Sequence, residues 1–169
     1  LLISSKISWE RDDRIAAVTK LEQMLNRFPN SEPLLMQLSI CYREMGDIDK
    51  ARRFAILRSV NDPLNHKPRL ELLYIYNQDG NSEREESEIE RMFDQFGKDK
   101  VALLELAGFA AKTGNIDLAK RINAVAFENG FDIDFFAVLL LEAYVVSQDY
   151  TAALKFSENL IEEKPEWLT

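Results

Sequence analysis

The sequence predicts an all-α fold, an α-α superhelix (solenoid) in which antiparallel helix pairs stack on one another. The composition favours helix, because only five prolines and six glycines occur among 169 residues while Leu, Ala, Glu, Lys and Arg are plentiful. No segment alternates valine or isoleucine with polar residues over the length of a strand. An internal 34-residue period runs through the chain, and periods of this length are typical of stacked helical repeats.

The period is clearest at the predicted turns. Gly46, Gly80 and Gly114 are equally spaced, and the same step reaches Gln148 in one direction and Asp12 in the other. Glycine, Asn or Asp at such turns permits the positive φ that ends a helix tightly. The same step relates three further sets: Tyr42, Tyr76 and Tyr144, with Ala110 in the third place; Ala17, Ala51, Ala119 and Ala153; and Pro29, Pro63 and Pro165, with Gly97 and Phe131 between them.

The segment PLLMQLSICYREMGDIDKARRFAILRSVNDP resembles the tetratricopeptide repeat, whose 34-residue unit is a pair of antiparallel helices. The large apolar, Leu, Tyr, Gly, Ala and Pro positions of that family correspond to Leu35, Leu38, Tyr42, Gly46, Ala51 and Pro63. The resemblance covers nearly the whole chain as a single array over 1–169. It implies a partial first repeat, 1–31, and four full repeats, 32–65, 66–99, 100–133 and 134–167.

The elements of this array follow in order. LLISSKIS is the expected first helix, and each full repeat then supplies two helices joined by its turn. Small alanines at each helix crossing let the two backbones approach closely. The chain lacks an initiator Met and stops at PEWLT, where another repeat would begin, so we expect a piece of a longer protein.

The second full repeat departs from the pattern, since Glu85 replaces the usual Ala within the acidic segment NSEREESEIERMFDQF. Two interpretations remain open. The acids could form a docking patch, or Ser82 and Glu85 could form a capping box with the acids near the positive end of the helix dipole. Ile89, Met92, Phe93 and Phe96 give this helix one apolar stripe.

The segment DFFAVLLLEAYVV, residues 134–146, is the most apolar in the chain. A membrane span needs about 20 apolar residues, and this run is interrupted by Glu142. The leucines and alanines favour helix over strand, with Asp134 as the expected N-cap. We therefore expect a helix that is apolar on both its packing face and its exposed face.

Charge and residue chemistry exclude several classes of function. The 29 acidic and 21 basic residues give a net charge of −8, which disfavours nucleic acid and anionic membranes and favours a basic or apolar partner. The single Cys41 and single His66 have no base or orienting group near them in sequence, and no cluster has metal-ligand spacing. We expect no enzyme, no cofactor, no metal and no membrane insertion, while the compartment, cytoplasmic or periplasmic, stays open.

The family resemblance implies a partner-binding groove lined by the first helix of each repeat. Carried onto this sequence, the groove positions become more apolar toward the C-terminal end. They are Met36, Ile40, Leu70, Tyr74, Leu104, Gly108, Phe135, Val138, Glu142 and Val145, with Arg43, Asn77, Ala111 and Val146 at adjoining positions. The Lys and Asn by which some family members hold a C-terminal carboxylate are absent from these positions.

Two functions follow. The favoured one is a protein-protein interaction scaffold or adaptor whose groove takes an apolar or amphipathic peptide or helix. The alternative is an architectural segment whose groove is covered by further repeats, another domain or a second copy of the chain, so a homo-oligomer is possible.

Overall fold

The computed structural model describes residues 14–163, and these form helices joined by short turns, without a strand. In chain order the helices are α1 (Arg14–Arg27), α2 (Glu32–Glu44), α3 (Ile48–Asn61), α4 (Lys67–Asp79), α5 (Ser82–Phe96), α6 (Lys100–Thr113), α7 (Ile116–Glu128), α8 (Asp134–Val146) and α9 (Tyr150–Glu163). The all-α prediction is confirmed, with two helices in each of the four full repeats. The expected helix LLISSKIS and the turn at Asp12 lie outside the described residues.

The described residues divide into two compact units, one ending at Met92 and the other beginning at Phe93. In the first unit α1 packs on α2, α2 on α3 and α3 on α4. In the second unit α6 packs on α7 and α8, and α8 also contacts α7 and α9. Helices α3 and α7 therefore contact both the other helix of their own repeat and the first helix of the next. This is expected of stacked helix pairs, because one pair cannot bury all of its apolar side chains alone.

The predicted repeat positions are buried in both units. The alanines at the helix crossings, Ala17, Ala51, Ala119 and Ala153, are all inaccessible to solvent or nearly so. The core of the first unit surrounds Leu38, Tyr42 and Tyr76, and the core of the second includes Phe109 and Phe136. Small residues at the crossings and large residues beside them let the helix backbones approach while the space between them stays filled.

Each turn within a repeat has the same hydrogen-bonding pattern. Gly46, Gly80, Gly114 and Gln148 all have φ between 64° and 80°. The next residue donates its backbone N–H to a carbonyl near the end of the first helix, as Asn115 does to Ala110 at 2.9 Å. This is the Schellman arrangement, which satisfies otherwise orphaned carbonyls.

The residue that closes the first helix also opens the second. Asp47, Asn81, Asn115 and Asp149 each accept, through the side chain, the backbone N–H three residues ahead, at 3.0 to 3.2 Å. These caps recur with the sequence period and satisfy one free N–H of each second helix.

Two predicted caps are wrong by one residue. Asn81, not Ser82, is the N-cap of α5, because the Schellman bond from Asn81 to Tyr76 already fixes Asn81 at that place. Glu85 instead accepts a hydrogen bond from Asn77. Asp134 is the first residue of α8, and its N-cap is Ile133 without a side-chain bond.

Candidate functional site

The predicted groove residues of the first unit lie on α2 and α4. Met36 is exposed, while Ile40, Leu70 and Tyr74 are half-buried. The Arg43 guanidinium on α2 lies 6.0 Å from the centroid of the Tyr74 ring on α4, at the distance of a cation-π contact. We call Met36, Ile40, Leu70 and Tyr74 the α2–α4 surface.

Charged side chains are buried beside this surface. Arg58, on α3, donates to both carboxylate oxygens of Glu32 at 2.9 and 2.8 Å and also to Glu71 on α4. Burial raises the pKa of Glu71, against the opposing effect of nearby Arg58. One guanidinium therefore links the starts of α2 and α4 through α3, and it is a structural contact rather than a reactive one.

The predicted groove residues of the second unit lie on α6 and α8. Phe135 and Val138 are 67% and 49% exposed, Val145 and Glu142 are also exposed, and Leu104 and Gly108 are half-buried. The spacing 135, 138, 142, 145 follows one face of α8, and α6 packs directly beside it. We call these six residues the α6–α8 surface.

The α6–α8 surface is almost free of charge. Glu142 is its one acidic side chain, and two further valines, Val101 on α6 and Val146 on α8, are also exposed. Ala111, which the resemblance places at an adjoining position, is buried and therefore does not contribute to the accessible α6–α8 surface. The strongly apolar helix α8 thus buries Phe136, Ala137, Leu140, Ala143 and Tyr144 and still exposes apolar side chains on another face.

Cys41 lies in the core of the first unit, and His66 lies at the start of α4. Cys41 is buried on α2, and burial raises the pKa of its thiol, which suppresses the nucleophilic thiolate. His66 is the N-cap residue of α4. Within residues 14–163 no three His, Cys, Asp or Glu side chains come together as metal ligands, and no helix there is long and apolar enough to cross a membrane.

The sequence analysis did not predict two features of the structure, a buried glutamate and a second set of exposed apolar residues. Glu88 is buried, with its carboxylate 2.7 Å from Arg69 and 3.0 Å from Arg91, although α5 reads as a solvated acidic helix. Exposed Ile56, Val60 and Leu64 lie on and just after α3, in the second helix of a repeat rather than the first. Aligning the repeats with one another could have revealed these three exposed apolar residues, because most other repeats have a charged residue at the same positions.

Two of the solved structures to which this chain is similar illustrate its fold. One is a tetratricopeptide repeat protein from Parabacteroides merdae, 18% identical, with a TM-score of 0.62 over 96% of this chain and 63% of that one. The other is the MamA protein, 15% identical, with a TM-score of 0.58 over 96% of this chain and 88% of that one.

The chain has the tetratricopeptide-repeat fold. This confirms the resemblance and the solenoid fold class predicted from the sequence period. No family model and no curated protein matches the sequence. The chain spans 63% of the length of the Parabacteroides protein. In the tetratricopeptide-repeat fold found here, the α2–α4 and α6–α8 surfaces both belong to the first helices of their repeats.

Proposed function

We propose that this chain is a protein-interaction scaffold whose α6–α8 surface binds the apolar face of an amphipathic helix from a partner protein. The supporting observation is the exposed row on α8, in which Phe135, Val138 and Val145 face solvent within a protein that is otherwise rich in charge. Contiguous exposed apolar patches are typical of interaction sites. Ridges of side chains from two adjacent helices provide a groove of the kind that receives a third helix.

The negative charge of the chain favours a positively charged partner helix. Glu142 lies in the middle of the row on α8, and the whole chain has a net charge of −8. A partner helix with Lys or Arg beside its apolar stripe would be attracted during encounter and would pair with Glu142. We therefore propose a basic amphipathic helix as the partner and assign no reaction to the surface.

The expected affinity is modest. Fully burying one Val, Leu or Phe side chain is worth about 1.5 to 3 kcal/mol, so half-covering four of them gives roughly 3 to 6 kcal/mol before ordering costs. Leu104, Phe135, Val138 and Val145 are these four. We expect micromolar or weaker binding.

The test is a display library of helical peptides selected on the purified chain, followed by fluorescence anisotropy with the enriched peptides. We expect enrichment of apolar residues at helical spacing together with Lys or Arg. Val138→Asp should abolish binding and leave the melting temperature nearly unchanged, because Val138 is half exposed.

Phe127→Asp is the matched control, since Phe127 is 72% exposed but lies on α7, which contributes no residue to the α6–α8 surface. It should bind the peptides as the unmodified chain does. Equal loss in both variants, or a library that enriches no apolar periodicity, would refute the proposal.

A further inference from the structure

A second apolar row lies on the other helix of the first full repeat. Ile56, Val60 and Leu64 are exposed, the last two at 67% and 90%. They are spaced four residues apart, so Ile56 and Val60 share one face of α3 and Leu64 follows in the turn beyond it. We call these three residues the α3 row.

The internal repeats show that the α3 row is exceptional. Successive repeats place Asp94, Glu128 and Glu162 at the position of Val60, and they place Glu90, Ala124 and Glu158 at the position of Ile56. Leu64 corresponds to Lys98 and Asp132. The fold therefore accepts charged residues at most of these exposed positions, and packing within the repeat does not account for the apolar side chains of the first one.

A surface pocket opens beside the α3 row. It has a volume of about 530 Å³, and its lining includes Ile56 and Val60 of the α3 row together with Glu22, Lys50, Arg53, Phe54 and Leu57. The carboxylate of Glu22 accepts a hydrogen bond from the Tyr42 hydroxyl. Lys50 pairs with Asp47 and Arg52 with Asp49, whereas Arg53 forms no ion pair with any described residue. The apolar lining therefore carries three charged residues, of which Glu22 and Lys50 already have partners and Arg53 has none among the described residues. This arrangement suits an apolar side chain followed by a carboxylate that pairs with Arg53.

The chain itself exposes a helix with that chemistry. On α9, Tyr150 and Leu154 are exposed, at 64% and 61%, and Ile161 is exposed on the same side. Glu158 lies between them at helical spacing, and neither Glu158 nor Glu162 pairs with a cation among residues 14–163. Leu154 is also unusual among the four full repeats, since the other three place Arg52, Glu86 and Lys120 there, while the partial first repeat has the buried Val18. We call Tyr150, Leu154, Glu158 and Ile161 the α9 row.

We propose that the α3 row and its pocket bind the α9 row of a second copy of this chain. Leu154 and Ile161 cover Val60 and Ile56, and Glu158 pairs with Arg53. The two surfaces are different, so the contact is heterologous, and a dimer still offers one free α3 row on one copy and one free α9 row on the other. Association therefore continues from dimers to longer head-to-tail oligomers as the concentration rises.

Sedimentation velocity of the full chain over a range of concentrations tests this directly. We expect concentration-dependent dimers and larger species. Val60→Glu, which installs a residue that other repeats carry at this position, should weaken association by about tenfold or more, as loss of a central apolar contact does. Leu154→Lys should do the same from the other side. Phe127→Glu, at an exposed position in neither row, should associate like the unmodified chain.

Mixing the two variants decides whether the contact is heterologous. Val60→Glu retains an intact α9 row and Leu154→Lys retains an intact α3 row, so an equimolar mixture should form a heterodimer and nothing larger. A chain that is monomeric at every concentration overturns the proposal, as does association that survives both substitutions. If only Val60→Glu weakens association, or if the mixture forms no heterodimer, the assignment of the α9 row is wrong.

Discussion

Replacing Gly114 by alanine should cost markedly more stability than replacing Gly80. The two turns are closely matched, since their φ angles are 65° and 66° and both glycines are followed by an Asn that caps the next helix. They differ in their surroundings. A Cβ at Gly80 would have no neighbour within 4 Å, whereas at Gly114 it would lie 3.1 Å from the backbone nitrogen of Ser147.

The magnitude follows from two separate effects. Alanine in the left-handed region costs about 1 to 2 kcal/mol, and this applies at both positions. Only at Gly114 is there crowding, since the Cβ also meets the Ser147 Cα and Val146 Cγ1 at 3.3 Å, and backbone atoms of Ser147 yield only if the turn shifts. Overpacking of this kind costs about 1 to 3 kcal/mol. We therefore expect Gly114→Ala to lose about 2 to 5 kcal/mol and Gly80→Ala about 1 to 2 kcal/mol.

Urea unfolding followed by circular dichroism at the helix band measures both free energies of unfolding. The slope of the transition must be compared as well, because uncoupling of repeats would change the slope as well as the midpoint. Equal losses in the two variants would mean that the turns at Gly114 and Ser147 do not approach closely, and the packing of consecutive turns in the second unit would have to be revised.

The remaining predictions use the same assay. Gln148→Gly should raise stability by about 0.5 to 1 kcal/mol, since it removes the left-handed strain of a non-glycine residue at some cost in unfolded-chain entropy. Asn115→Ala should cost about 1 kcal/mol through loss of its cap to Leu118, and an unchanged midpoint would argue against that cap. Ala119→Leu should cost about 1 to 3 kcal/mol by overpacking the helix crossing, whereas the exposed Ala124→Leu on the same helix should cost little. Because burial raises the pKa of Glu71, stability is greatest with this carboxyl protonated and falls as the pH rises above its ordinary value of 4.5. Glu71→Gln, compared with the unmodified chain by urea midpoints on both sides of that pH, should therefore reduce this pH dependence.

The fold could be predicted because its information is periodic in sequence. Gly46, Gly80 and Gly114 mark turns that only a few residue types can form, and Ala51 and Ala119 mark crossings where only small side chains fit. Each signal is local, so no knowledge of distant contacts is needed. Because the same residue types recur at the same positions in several repeats, a chance match at a single position cannot explain the pattern.

The buried charges could not be predicted in the same way. Glu88 resembles its exposed neighbours in α5, and only its contacts with Arg69 and Arg91 make burial tolerable. Arg58 is similar, since its partners Glu32 and Glu71 come from two other helices. Such pairings depend on how helices pack, and the hydrophobic period of a single helix does not contain that information.

The shared caps have a consequence for where this chain tolerates extra residues. At Asp47, Asn81, Asn115 and Asp149 one residue closes a helix with its amide and opens the next with its side chain. A residue inserted there would separate the two contacts, so either the end of one helix or the start of the next would lose its partner. The segments 62–66 and 129–133, between repeats, have no such residue with two roles. The connection before α6 differs, because Asp99 donates its amide to Phe96 and also caps α6 with its side chain. An epitope, a cross-linking site or a fluorescent label is therefore best inserted in segment 62–66 or 129–133, where the length of the connection can change without separating two contacts of one residue.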